Sequence, residues 1–199
     1  MLASLPPATR ALILINIGVY LLEQLAPGPL ELWFALWPYG TPQFHPWQLL
    51  TYAFLHDPQG LAHIFFNMFA LYMFGGALEL YWSARRLLLF YLVCALSAAV
   101  TQLLVQRLTG TGAPVIGASG AVFGILLAFA WYFPKAQLRV YFLIPMPAWL
   151  FVTLYGMAEL VFGVTGTQEG VAHFAHLGGM LGGALCILYW HLRRRFSLR

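Results

Sequence analysis

Six apolar stretches divide this chain, and they limit what it can fold into more than any other feature. They run over about 10–26, 59–81, 87–106, 117–133, 148–164 and 171–192. Each approaches the roughly 20 apolar residues that a helix needs to cross the hydrocarbon core of a bilayer. Only 8% of the 199 residues are charged and 61% are hydrophobic, whereas a water-soluble domain has about a quarter of its residues charged. In lipid the backbone must satisfy its own hydrogen bonds within each segment. The stretches are therefore expected to be helices, and the chain an all-α polytopic membrane protein forming one domain over 1–199. No repeat, low-complexity tract or linker divides it. The first stretch is followed by no small-residue cleavage site, so it reads as an uncleaved span. Cys94 and Cys186 both lie in apolar stretches, which suggests neither a disulfide framework nor a zinc cluster.

The formal charge of +4 would raise nucleic-acid binding in a soluble protein. Here the basic residues sit in short clusters between apolar stretches, where they act as topology signals. No nucleic-acid partner is expected. With the N-terminus in the cytosol, Arg10, Arg85, Arg86, Lys135, Arg139, Arg193, Arg194, Arg195 and Arg199 fall inside and only Arg107 outside. That bias predicts six spans with both termini cytosolic. The long first loop, 27–58, is then external, and Trp33, Trp37 and Trp47 suit the outer interface. The other connections are a basic turn at Arg85 and Arg86, a Gly-rich turn over 109–114, a basic turn over 135–139 and a Gly/Thr turn over 163–170.

Polar side chains inside spans are costly and point to function. Three groups stand out: His63 with Asn67, Gly117-Ala118-Ser119-Gly120, and His173 with His176. Measured from the basic residues at the inner ends, at about 1.5 Å per residue, Ser119 lies about 24 Å up, His176 about 26 Å and Asn67 about 27 Å. Across a core of about 30 Å they share one layer just below the outer surface. Each motif taken alone reads as helix packing or interhelical hydrogen bonding. The shared layer points instead to a hydroxyl, an imidazole and an amide brought together.

The glycines suggest which faces meet. Gly120 and Gly124 on the fourth stretch, and Gly179 and Gly183 on the sixth, are spaced for close helix approach. That contact brings Ser119 within reach of His176, the arrangement an activated serine needs. Ser119 begins its helix, so unpaired N–H groups there can stabilise an oxyanion. His63 and Asn67, four residues apart on one helical face, can add side-chain donors. His173 and His176 also have a metal-ligand spacing, with His56 nearby, but no carboxylate or cysteine falls at matching depth in the three key stretches, and no metal is expected. Glu79 is expected to cap or pair at the inner end of the second stretch, near Arg85 and Arg86. Glu159 is read as making a local hydrogen bond, and Asn16 is given no partner. With no acid as an obvious third member, a Ser–His dyad is the simpler reading.

These motifs resemble those of the rhomboid family of intramembrane serine proteases over most of the chain. His63-Ile64-Phe65-Phe66-Asn67 is similar to the family's His-x-x-x-Asn motif, and Gly117-Ala118-Ser119-Gly120 to its Gly-x-Ser-Gly motif. Ala175-His176-Leu177-Gly178-Gly179, with Gly183, resembles its Ala-His-x-x-Gly-x-x-x-Gly motif. The resemblance implies a six-transmembrane-helix bundle of the basic bacterial type in the inner membrane, opening to the extracytoplasmic side. It implies Ser119 as nucleophile and His176 as base, with Gly117, Ala118, His63 and Asn67 lining the oxyanion site and Phe123 stacked on the histidine. Transmembrane segments of other proteins would be the substrates, and no cofactor is implied. Many members carry Trp-Arg where this chain has Trp47-Gln48. Two further classes are weighed: a non-catalytic membrane adaptor on the same fold, and a small transporter, for which inverted repeats are lacking.

Overall fold

The computed structural model describes residues 4–110, 112–140, 143–167 and 171–196. Of these residues, 74% are helical. The first helix, α1, spans Pro7–Leu25. Pro7 suits its first position, where no N–H bond is needed. The donors buried there are taken by Glu79, whose carboxylate accepts from Ala8 N–H at 2.8 Å, Thr9 N–H at 2.7 Å and the Thr9 hydroxyl at 2.8 Å. Glu79 thus caps a neighbouring helix rather than the inner end of its own. The unpaired amides at the start of α1 are a closer match for a carboxylate than the basic turn next to it in sequence.

The long connection after α1, expected to be an external loop, is more structured than a loop. A short helix, α2 (Pro27–Phe34), and a single turn, α3 (Gln48–Thr51), run into a 3-10 turn at Tyr52–Phe54. The Gln48 side chain is fully buried and ties the segment together. Its oxygen accepts from Trp37 N–H at 3.3 Å and His45 N–H at 3.1 Å. Its amide donates to the carbonyls of Trp33 at 3.3 Å and Gln43 at 2.9 Å. An arginine here has donors only, so the glutamine holds this loop by bonds an arginine cannot fully reproduce.

Helix α4 (Leu61–Trp82) contains a π-helical turn over Leu71–Gly75. Helix α5 (Ala84–Thr109) is capped by the Ser83 hydroxyl and ends at Gly110, whose φ is +72°. It is bounded by these signals and so outruns the apolar stretch 87–106. Helix α6 (Ser119–Tyr132) follows a connection held by paired backbone bonds between Leu36 and Val115 at 2.9 and 3.0 Å. The basic turn expected over 135–139 is part of a hairpin, β1 (Gln137–Val140) antiparallel to β2 (Ile144–Pro147). Helices α7 (Ala148–Thr165) and α8 (His173–Phe196) complete the chain. Of the turn expected over 163–170, positions 168–170 lie outside the described residues, as does Thr111 in the turn over 109–114.

Among the described residues, α1, α4, α5 and α7 have the length and apolarity to cross a membrane, and α6 is a shorter apolar helix. Large apolar side chains point outward from them, with Leu80 and Leu61 81% and 72% exposed. Such a surface is stable only against lipid. This is a multi-pass helical membrane protein.

The glycines of α8 divide between two neighbours. Gly178 and Gly182 leave room for Thr101 and Ser97 of α5, and the Ser97 hydroxyl donates to the Gly178 carbonyl at 2.7 Å. Gly179 lies one residue further round the helix, against Gly120 of α6, and Gly183 faces Phe90 and Cys94 of α5 together with Gly124 of α6. α8 is therefore wedged at close range between α5 and α6, and its first turn is brought beside the start of α6.

Candidate active site

Ser119 is the first residue of α6, where the opening N–H groups have no partner within the helix. Gly117, two residues earlier, has φ +124°, a conformation that side chains rarely adopt. A Cβ there would also lie 2.6 Å from His63 Nε2, so only glycine lets the histidine approach. The Gly117 N–H donates to the Tyr52 carbonyl at 3.0 Å. Gly117, expected to line an oxyanion site, gives its N–H to this carbonyl and leaves room for His63.

Across from it, His176 occupies the first turn of α8. The Ser119 hydroxyl meets His176 Nε2 at 2.7 Å. The imidazole is 8% exposed and lies flat on Phe123, ring centroids 4.3 Å apart and planes 8° from parallel. Phe123 packs in turn on Tyr155 of α7. The geometry thus brings Ser119, His176 and Phe123 into direct contact.

His63 borders the same place. The Asp57 N–H approaches its Nδ1 at 3.4 Å, so that nitrogen accepts and the ring hydrogen rests on Nε2, the atom beside Gly117. Asn67, one turn along α4, donates from its amide to the His63 carbonyl at 2.9 Å. Its nearest role is thus to brace the turn that carries His63. Ala118 is fully buried at the N-cap position of α6. His56 is buried against His63, with ring centroids 5.0 Å apart, and its backbone N–H donates to the Glu23 carboxylate at 2.9 Å. Burial, helped by neighbouring His63, pushes the His56 imidazole down to about 3, so this ring is neutral.

Glu159 is the residue that sequence reasoning undervalued. Its Oε2 accepts from His176 Nδ1–H at 2.8 Å and lies 2.7 Å from His173 Nδ1. The signal was present: a carboxylate inside an apolar helix needs a partner, and the next helix holds two histidines. Motif spacing does not find it, because Glu159 lies outside the three motif-bearing stretches. Glu159, His173 and His176 also have the composition of a metal-ligand set. Their contacts at 2.7 and 2.8 Å are hydrogen-bond distances that already occupy the facing atoms.

Comparison with known proteins decides the family. The rhomboid domain matches residues 43–193, about three quarters of the chain. The chain belongs to the rhomboid family. Similar relatives include the mitochondrial RHOMBOID-like protein 12 of Arabidopsis thaliana, 32% identical over 76% of this chain and 47% of that protein. The rhomboid protease GlpG of Klebsiella pneumoniae is 32% identical over 63% of this chain and 43% of the relative. That of Serratia proteamaculans is 27% identical over 95% of this chain and 64% of the relative. This rhomboid chain therefore spans less than two thirds of the length of these relatives.

Proposed function

We propose that this rhomboid is an intramembrane serine endopeptidase that cleaves transmembrane segments of other proteins near the outer membrane face. The observation that carries this reading is the 2.7 Å contact between the Ser119 hydroxyl and His176 Nε2, made by residues 57 positions apart at the facing starts of two helices. A serine is a weak nucleophile until an adjacent base takes its proton. With Nδ1–H donated to Glu159, His176 presents the Nε2 lone pair to that hydroxyl.

The reaction then follows from the site. Ser119 Oγ attacks the scissile carbonyl while its proton passes to His176 Nε2. The developing oxyanion is met by the free N–H groups at the start of α6 and by the Nε2–H of His63, donors fixed before the reaction begins. His176 returns the proton to the leaving amine, and water repeats the sequence to release the acyl group. Phe123 keeps the imidazole in plane through both halves.

A substrate helix has a lateral approach available. An apolar groove between α6, α7 and α8, lined by Leu127, Val152, Gly156, Leu160 and Met180, opens beside the layer that holds the site. Helix α7 forms one wall of this groove. A segment bound there must unwind to present its backbone to Ser119, which favours substrates with Gly or Pro near the cut. The basic clusters support six spans, cytosolic termini and an inner-membrane location with the site on the extracytoplasmic side.

The alternative, a non-catalytic membrane adaptor on this fold, needs neither the serine nor the histidine. The test is cleavage of a tagged single-span reporter in proteoliposomes, comparing the wild-type protein with Ser119→Ala. Loss of cleavage in a variant that still elutes and melts like the wild type supports the protease. Undiminished cleavage by Ser119→Ala, or none by the wild-type protein across a panel of reporters, contradicts it.

A further inference from the structure

Glu159 stands outside the pair proposed to carry the reaction, yet its carboxylate joins the site to α7. That helix buries only three of its residues, Ala148, Val152 and Glu159, and Glu159 is the one that carries charge. A carboxylate is costly to bury unless it is paired and hydrogen-bonded. Here one oxygen, Oε2, receives both histidines of the first turn of α8, at 2.7 and 2.8 Å.

The contacts determine where the hydrogens sit. His176 Nε2 accepts from the Ser119 hydroxyl, so His176 carries its hydrogen on Nδ1 and gives it to Glu159. His173 faces an acceptor at each nitrogen, Glu159 Oε2 at 2.7 Å and the Thr167 carbonyl at 3.1 Å. Both nitrogens of His173 are thus engaged, which fixes its ring against the carboxylate.

We propose that Glu159 is a positioning residue that holds His176 in the Nδ1–H tautomer and steadies the imidazolium formed during proton transfer, with His173 clamping the carboxylate. This rests on the protease reading. As Ser119 Oγ bonds to the carbonyl carbon, its proton moves to His176 Nε2 and the carbonyl π pair moves to oxygen. The imidazolium then has both nitrogens protonated, and its Nδ1–H remains donated to Glu159. Collapse expels the amine, which takes the Nε2 proton, and the starting tautomer is restored. A third group that orients the base is what this chemistry rewards.

The arrangement has a mechanical consequence. Glu159 travels with α7 and His176 with α8, so parting the two helices to admit a substrate breaks the bond that orients the base. The base is complete only when α7 is seated.

The test uses the full chain in proteoliposomes with a fluorophosphonate probe and a single-span reporter. Labelling of the wild-type protein at Ser119 tests the protease reading by itself; its absence, with no reporter cleaved, defeats that reading and this inference with it. With labelling established, folded Glu159→Ala is expected to lose kcat and labelling rate on the order of 10²-fold or more, with KM unchanged. Glu159→Gln, which still accepts but carries no charge, falls between, and His173→Ala loses rate in the same direction. A folded Glu159→Ala with wild-type kcat overturns the proposal. Should the variants not fold, ¹⁵N NMR of histidine-labelled wild-type protein decides, with the His176 signal assigned by its loss in His176→Ala. The Nδ1–H tautomer is expected, and the Nε2–H tautomer would overturn it.

Discussion

Gly179 of α8 rests directly on the carbonyl of Gly120 of α6, so closely that a Cβ on Gly179 would overlap that carbonyl oxygen. Gly120 follows Ser119, and Gly179 lies three residues after His176. The backbone contact therefore sets how far the hydroxyl stands from the imidazole, and the 2.7 Å bond is a result of glycine meeting glycine.

Gly179→Ala is expected to push α8 away from α6. The obstacle is backbone, which cannot rotate aside, and overpacking of this kind costs about 1–3 kcal/mol or more. Both a lower melting temperature in micelles and a loss of fluorophosphonate labelling should follow. A variant that melts early but labels at the wild-type rate would mean the two helices are not set by this contact.

Glu79 gives the opposite pattern. Glu79→Ala removes the acceptor for two backbone amides and a hydroxyl at the buried start of α1. Leaving such donors without partners costs roughly 1–3 kcal/mol. The thermal midpoint should fall, while kcat measured well below it stays unchanged, because α1 bears no residue of the site.

Much of the site was legible because membrane burial makes polar residues stand out. Ser119, His176 and His63 are conspicuous in apolar stretches, and counting residues from the inner basic clusters groups them by depth. The partners of Glu79 and Glu159 were harder to read, since each carboxylate bonds to a helix other than its own. Sequence distance ranks the wrong neighbours first for such groups. The α8 glycines show a similar limit. Spacing marks Gly179 and Gly183 as a contact face, but the adjacent Gly178 and Gly182 serve α5 equally, and only the packed arrangement separates the two. The hairpin over 137–147 carries no alternating pattern that would reveal it, since its strands include Pro145 and Pro147.

Gln48 offers a test of how the segment between α1 and α4 is held. Gln48→Arg installs the Trp-Arg pair that the family resemblance leads one to expect, but removes the acceptor for Trp37 N–H and His45 N–H. It is expected to destabilise this chain by about 1–3 kcal/mol rather than stabilise it. Limited proteolysis between α2 and α3 should become faster in both Gln48→Arg and Gln48→Ala. Protection equal to the wild type in the arginine variant would show that the loop does not need the glutamine oxygen.

Phe123→Ala removes the ring on which His176 lies. A stacked pair contributes about 0.5–1.5 kcal/mol, which corresponds to roughly a 2- to 10-fold loss of labelling rate if the stack is held through the transition state. Phe123→Tyr, which keeps the face, should stay near the wild-type rate. Equal rates for the alanine and tyrosine variants would argue against any role for the ring.

The most direct test of the central claim is to map by mass spectrometry where a fluorophosphonate attaches to the wild-type protein and to His176→Ala. One adduct, on Ser119, is predicted in the wild type, and none in the variant, because the hydroxyl has lost its base. An adduct on any other serine, or labelling of Ser119 that persists without His176, would contradict the account.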